Sequence, residues 1–264
     1  MTELRIELVM SEFGESRQNA GGGRLAHFDR LNPTLESFRN IFPSALVTLY
    51  TDQPLQGLAG VKVETVIPPF DRGAERYGWR AHDYYQAFGM LQSSADITIA
   101  MDSDMLIVSD SFRVIFEFAQ RFGLALPINP RLLLKIDGGI GIDSSYQAQT
   151  DSTQGLGMTY NLTPMAFSTR HPVARQLLER YCTLLLESPG RGAVHMVQAS
   201  YDVGYQPYVL PPQWCVCSPR DLDSKHMWRE AVALHVGHRD VLPRWRKEKK
   251  KEKLLELFNK IRGR

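Results

Sequence analysis

Cysteine is scarce in this chain of 264 residues: Cys182, Cys215 and Cys217 are the whole complement. Their odd number and their spacing lack the partners that a zinc site or a disulfide framework needs, so they are expected to be reduced thiols. Long apolar runs are also missing. Nothing approaches the ~20 residues with which a helix crosses a bilayer. The opening stretch sets Glu3, Arg5 and Glu7 among apolar residues, which is strand alternation and not a secretory signal. These absences predict a soluble, cytoplasmic protein. No internal repeat and no linker divides the chain. A strong charge of one sign is missing too, with 31 Lys and Arg against 29 Asp and Glu, and apolar residues reach 43%. Disorder is thereby excluded as the overall state, and no nucleic-acid recognition module is present.

What is there is an alternation of strand and helix patterns. Ile6 to Met10, Ala45 to Tyr50, Val61 to Ile67 and Leu124 to Ile128 read as strands. Between them, residues 25–42, Trp79 to Gln92 and Ser111 to Phe122 have helical spacing, with Pro33 starting a second helix or kinking the first. Such alternation predicts an α/β fold with a mostly parallel central sheet flanked by helices. Sheets of this kind bind ligands beyond the carboxyl ends of their strands. Pro172 to Leu186 reads as an amphipathic helix, and Tyr208 to Leu210 and Ala231 to Val236 as short strands. The glycine-rich 138–156 stretch reads as a mobile lid over the site. Residues 1–243 are expected to form one domain, and 244–264 a basic appendage.

The most informative stretch runs from Asp96 to Val108, where two apolar runs flank Asp102-Ser103-Asp104. In extended backbone, residues two apart share a face, so Asp102 and Asp104 are expected to aim together with Ser103 opposite. Two carboxylates against an apolar core repel each other and lose hydration, at a cost of about several kcal/mol. A divalent cation relieves both penalties, and hard oxygen donors suit Mn²⁺ or Mg²⁺.

An aliphatic strand, Asp-x-Asp and a second aliphatic run resemble the DXD motif of the GT-A glycosyltransferases, and distantly those of family 8. Other segments fall in the same order. Leu46 to Asp52 resembles the second strand of the nucleotide-binding half, and Tyr160 to Phe167 the strand lining the acceptor side. Leu210-Pro211-Pro212-Gln213-Trp214 resembles a late Leu-Pro-x-x-Trp element. Leu234-His235-Val236-Gly237-His238 resembles the histidine segment that completes the metal site. The resemblance implies a GT-A fold and a donor such as a UDP- or GDP-sugar. It also implies a hydroxyl acceptor on a glycan or a lipid-linked carrier. The metal ligands it implies are Asp102, Asp104 and His235, with His238 competing for the last place. The donor would meet Ser11, Phe13, Asp52, Arg80, Asp102 and Ser103. On the acceptor side, Asp137 is the candidate base of an inverting enzyme, while Asp202 or Gln198 would suit a retaining one. Two departures stand out: the late histidine segment is shorter than in family 8, and His195-Met196-Val197-Gln198 replaces the usual Asp-Gln pair.

Three other readings stay open. A haloacid-dehalogenase-type phosphatase also uses Asp-x-Asp after a strand. A sugar nucleotidyltransferase shares the sheet but wants a basic glycine-rich N-terminal loop, of which Gly21-Gly22-Gly23-Arg24 is a faint echo. A non-catalytic binding module on a transferase fold is the third.

The near-neutral total hides an asymmetry. From Arg244 onward there are ten basic and three acidic residues, leaving 21 basic against 26 acidic before it. Leu254, Leu257, Phe258 and Ile261 form a stripe at helical spacing among these lysines. Such a helix either packs on the enzyme's own body or lies peripherally at an anionic membrane surface.

Overall fold

Side chains along β1 (Ile6–Glu12) alternate between two apolar layers, Leu8 and Met10 facing one and Val9 the other. That double burial puts β1 inside a sheet covered on both faces. The computed structural model describes residues 4–13, 27–53, 58–74, 77–129, 159–188, 192–218, 221–222, 225–237 and 240–262. Side chains at 27–30, 225–226 and 254–262 are outside that description. The expected lid and Asp137, together with Gly21 to Gly23 and His238, lie outside the described residues.

The remaining strands among the described residues are β2 (Leu46–Thr51), β3 (Lys62–Thr65), β4 (Ile97–Ala100), β5 (Met105–Ile107), β6 (Leu124–Pro127), β7 (Met165–Ser168), β8 (Tyr208–Leu210) and β9 (Ala233–His235). Seven of them form one sheet in the order β3-β2-β1-β4-β7-β6-β8, and β5 pairs with β9 in a separate ribbon. Only β7 runs against its neighbours in the large sheet. The α/β, mostly parallel architecture expected from the sequence is therefore present. The third strand is shorter than its apolar pattern suggested. Among the described residues it pairs with β2 alone, and its ladder ends before Pro68 and Pro69.

Helix α1 (His27–Ile41) and α3 (Ile115–Phe122) cover one face through Leu31, Leu35, Phe38, Ile115 and Ala119. Pro33 lies inside the single helix α1 and starts no second one. Helices α2 (Tyr77–Gln92), α4 (Pro172–Glu187) and α5 (Gly192–Val203) belong to the other face. No element was expected at 192–203. The helix expected from Ser111 opens as a 3₁₀ segment, Asp110–Val114, with Ser109 Oγ accepting from Ser111 N at 3.2 Å, and becomes α-helical only from Ile115.

One close approach sets α2 against the sheet. A Cβ on Gly89 would stand 2.6 Å from Tyr50 Cε2 and 2.7 Å from Val9 Cγ1. Only a bare backbone lets the helix come this near β1 and β2. Gly89→Ala is therefore expected to destabilise the protein by about 1–3 kcal/mol through overpacking. Urea unfolding monitored by circular dichroism checks this, and an unchanged midpoint would show that the helix has room to retreat.

Candidate metal centre

The sheet order reverses at β1 and β4: β2 and β3 extend from one side of β1, and β4 lies on its other side. A crevice opens at such a switch point beyond the carboxyl ends of the strands. Val9 pairs with Ala100, and Met101 N donates to Val9 O at 3.1 Å. Two residues further on, Ser11 and Asp102 are thereby brought to the same rim.

Asp102, Ser103 and Asp104 do not continue β4. They form a turn, closed by Met105 N donating to Asp102 O at 3.2 Å, that leads into β5. This corrects the extended-strand reading. The two carboxylates converge because the turn folds them onto His235, not because the pleat aligns them. His235 Nε2 stands 3.1 Å from Asp102 Oδ2 and 3.3 Å from Asp104 Oδ1. β9 delivers the histidine, pairing His235 with Met105, and Val236 N donates to Asp104 O at 2.8 Å. Three potential ligand atoms of Asp102, Asp104 and His235 lie within 4.8 Å of one another, all on partly buried residues.

Several groups missed at the sequence level hold this arrangement. His82 Nε2 donates to Asp102 Oδ1 at 2.8 Å, and Gln86 Nε2 to the same oxygen at 3.0 Å. The two residues are one turn apart on α2 and almost fully buried. Asp102 N donates to Thr163 Oγ1 at 3.0 Å. From α1, the Thr34 hydroxyl lies 2.7 Å from Ser103 O and 2.6 Å from Met105 O, pinning the turn from behind. Ser103 Oγ donates to Glu12 Oε1, a buried acid at the end of β1. Outer-sphere contacts of this kind orient ligands and tune a metal.

The electrostatics fit a cation. Burial pushes the His235 imidazole down, but the Asp104 charge and the Asp102 hydrogen bond outweigh it and raise it to about 10. The two carboxylates thus create a field strong enough to hold a proton on Nε2. A divalent ion would replace that proton and take the same three donors. Gly237 completes the enclosure, because a Cβ there would stand only 2.0 Å from Asp104 Oδ2.

No protein-family model and no curated protein matches the sequence. Solved structures do match. The apo structure of WbbM, a bifunctional glycosyltransferase, aligns with a TM-score of 0.51 and 10% identity over 88% of this chain and 45% of that one. The fold is GT-A-like. The chain spans less than half the length of that larger protein. The 2-C-methyl-D-erythritol 4-phosphate cytidylyltransferase of Thermus thermophilus aligns over 79% of this chain and 89% of its own, at 17% identity and a TM-score of 0.43. At 10% identity, the likeness to WbbM speaks to fold alone.

The residues assigned to a donor are spread around the rim of this GT-A-like sheet. Ser11 is buried against His82, whose Nδ1 lies 2.7 Å from Ser11 Oγ and 2.9 Å from the Ser11 carbonyl oxygen. Phe13 is fully buried and stacks on Tyr85 with 5.0 Å between centroids. Asp52 follows β2, whose Thr51 pairs with Glu12. Its Oδ2 accepts from Tyr77 OH at 3.1 Å and lies 3.8 Å from the Arg72 guanidinium. Its Oδ1 is buried with no hydrogen-bond partner among the described residues. Arg80 is engaged elsewhere: Nη2 donates to Leu185 O at 2.7 Å, and the guanidinium sits 4.6 Å above the Phe70 ring.

On the acceptor side, Gln198 Nε2 and Arg180 Nε donate to the two oxygens of Asp202 at 2.7 and 2.6 Å. Desolvation pushes the Asp202 carboxyl up, but Gln198 and Arg180 outweigh it and hold it below the usual carboxylate range. The Arg180 contact clasps α5 to α4, while Gln198 reaches Asp202 from one turn earlier on α5. Cys182, Cys215 and Cys217 are buried and form no disulfide, with Cys215 Sγ 3.4 Å from Cys217 Sγ. Among the described residues, no helix is long and apolar enough to cross a membrane.

Proposed function

We propose that the protein is a metal-dependent glycosyltransferase that moves a sugar from a nucleoside-diphosphate donor to a hydroxyl acceptor. One observation carries this reading: two carboxylates and an imidazole converge at the topological switch point of a GT-A-like sheet. A cation held there would serve as a Lewis acid toward the departing diphosphate. The mixed nitrogen and oxygen donors favour Mn²⁺ over Mg²⁺. Asp104 and His235 would bind the ion directly. Asp102 would share it or face the ribose, with His82 and Gln86 fixing its orientation. The unpartnered Asp52 Oδ1 suits a ribose hydroxyl or a base N–H, and Ser11, Phe13 and Ser103 line the nucleoside side. Because Asp202 is clasped by Arg180 and Gln198, Asp137 is the stronger candidate for the acceptor base. In this reading, residues 1–243 are the transferase unit, with a UDP- or GDP-sugar as donor and a glycan or lipid-linked acceptor.

A dehalogenase-type phosphatase needs the first acid of the pair as a free nucleophile. Here both oxygens of Asp102 accept hydrogen bonds, from His82 and Gln86 on one and His235 on the other. The deciding experiment is a thermal-shift panel of nucleotide-sugars with and without Mn²⁺, followed by assay of the released nucleotide. At a hundred times its Kd, a ligand stabilises the fold by about 2.7 kcal/mol. The expected result is a Mn²⁺-dependent shift with one donor and release of its diphosphate. Pyrophosphate release instead would establish a nucleotidyltransferase, and a panel without any shift would sink the transferase reading.

A further inference from the structure

Helix α6 (Lys225–Arg229) and β9 provide the seat for helix α7 (Val241–Arg262), whose first turns reach into an apolar cluster of Val216, Leu222, Trp228, Ala231 and Leu234. Val241 is fully buried there, and Leu242 and Trp245 pack against the cluster. Two turns on from Val241, Glu248 is also fully buried. Its carboxylate takes Arg244 at 3.5 Å and Lys251 at 3.3 Å. Positions 241, 245 and 248 therefore mark the side of α7 that faces the body.

The opposite side carries a different chemistry. Arg246, Lys247, Lys250 and Lys253 are exposed, and no carboxylate among the described side chains pairs with them. Among the described side chains of this helix, the other acid, Glu252, is taken by Lys249 at 3.1 Å. At about 100° per residue, positions 246, 250 and 253 fall on the side away from 241, 245 and 248. The same α-helix runs unbroken to Arg262. In the sequence, Leu254, Leu257 and Ile261 continue at helical spacing in line with Lys250, and Phe258 in line with Lys247. The sequence left open whether this stripe would pack on the protein's own body. Over the described side chains, 241–253, the body-facing side is the one defined by Val241, Trp245 and Glu248.

We propose that the outward face of α7 docks the protein on an anionic lipid surface, cations among the headgroups and the leucine stripe at the acyl boundary. Charge selects the occupant. The rest of the chain is acidic, 26 against 21, so a negative surface repels the body and attracts α7 alone, which fixes the orientation of docking. The apolar stripe, in register with the cations, suits a bilayer interface better than a phosphate backbone, which offers nothing for it to enter. Val241 follows His235 by about six residues, at most about 20 Å of chain, so docking would hold the metal centre near the membrane. The proposal stands whether or not the chain proves to be a glycosyltransferase.

The test is co-sedimentation of the full chain with phosphatidylcholine vesicles, with and without phosphatidylglycerol, across a salt series. Binding only to the anionic vesicles, weakened by salt, is expected. Each cation should contribute about fivefold, so R246E/K247E/K250E/K253E should lower partitioning by about 10²-fold or more. A second variant, L254Q/L257Q/I261Q, should retain only weak, strongly salt-sensitive binding. Circular dichroism confirms that each variant is folded, and the wild-type arm decides even if one is not. Equal binding to neutral vesicles, or none to either, overturns the proposal. So does preferential binding to duplex DNA or RNA, or self-association that the leucine variant abolishes.

Discussion

Asp104→Asn is expected to lower transfer by about 10²–10³-fold and to abolish high-affinity Mn²⁺ binding, while the protein stays folded. The side chain keeps its volume but loses the charge that a divalent ion needs, and an amide oxygen is a poor substitute at a three-donor site. The size follows from what one electrostatic stabiliser is worth where charge develops in a transition state. Folding should survive because Asp104 is only partly buried and its main chain, not its carboxylate, holds Val236. Removing one of two neighbouring acids also relieves their repulsion. Isothermal titration with Mn²⁺ reads the binding directly, without knowledge of the acceptor. Wild-type Mn²⁺ affinity in the variant would falsify the assignment of Asp104 as a ligand. Undiminished transfer in EDTA would remove the need for a metal altogether.

The acids and the histidine were legible in the sequence because each interrupts an apolar strand pattern, where a charge or imidazole needs a reason. The alternation of β and α patterns was legible for the same reason, since periodicity is a local signal. What surrounds the trio was not. His82 and Gln86 sit on a helix crowded with Tyr84, Tyr85 and Phe88, and no local pattern separates them from its packing residues. They matter only because α2 crosses the end of β4, a fact of topology. Thr34, beside Pro33, carries no sequence signal of its own, yet its hydroxyl serves a turn about seventy residues later in the chain. Arg80 has contacts that the sequence did not show. A basic residue just before the motif strand suggests a phosphate ligand, but the helix turns it toward Leu185 and Phe70. The direction of the Asp-x-Asp carboxylates was anticipated by a wrong route: the segment is a turn, and turns are dictated by what β5 pairs with.

Gly237 makes the strongest separable claim on the site. A methyl at this position would stand 2.0 Å from Asp104 Oδ2 and 3.0 Å from Cγ. The backbone need not move, since the obstructed group is the end of a short side chain that can rotate away. Rotation, however, takes the carboxylate from His235 and from any ion the trio holds. Gly237→Ala is thus expected to cost about 10–100-fold in Mn²⁺ affinity, the usual range for a group that orients a metal ligand, with stability changed by less than about 1 kcal/mol. Gly204 supplies the contrast. Its φ is +68° and nothing lies within 4 Å of where a methyl would stand, so Gly204→Ala strains the backbone without touching the site. That variant should lose about 1–2 kcal/mol of stability and keep its Mn²⁺ affinity. Paired titration and thermal melts of the two variants check both halves. If Gly237→Ala binds Mn²⁺ like the wild type, Asp104 does not hold the ion where its carboxylate now lies. If both variants lose stability alike, Gly237 serves the fold and not the metal centre.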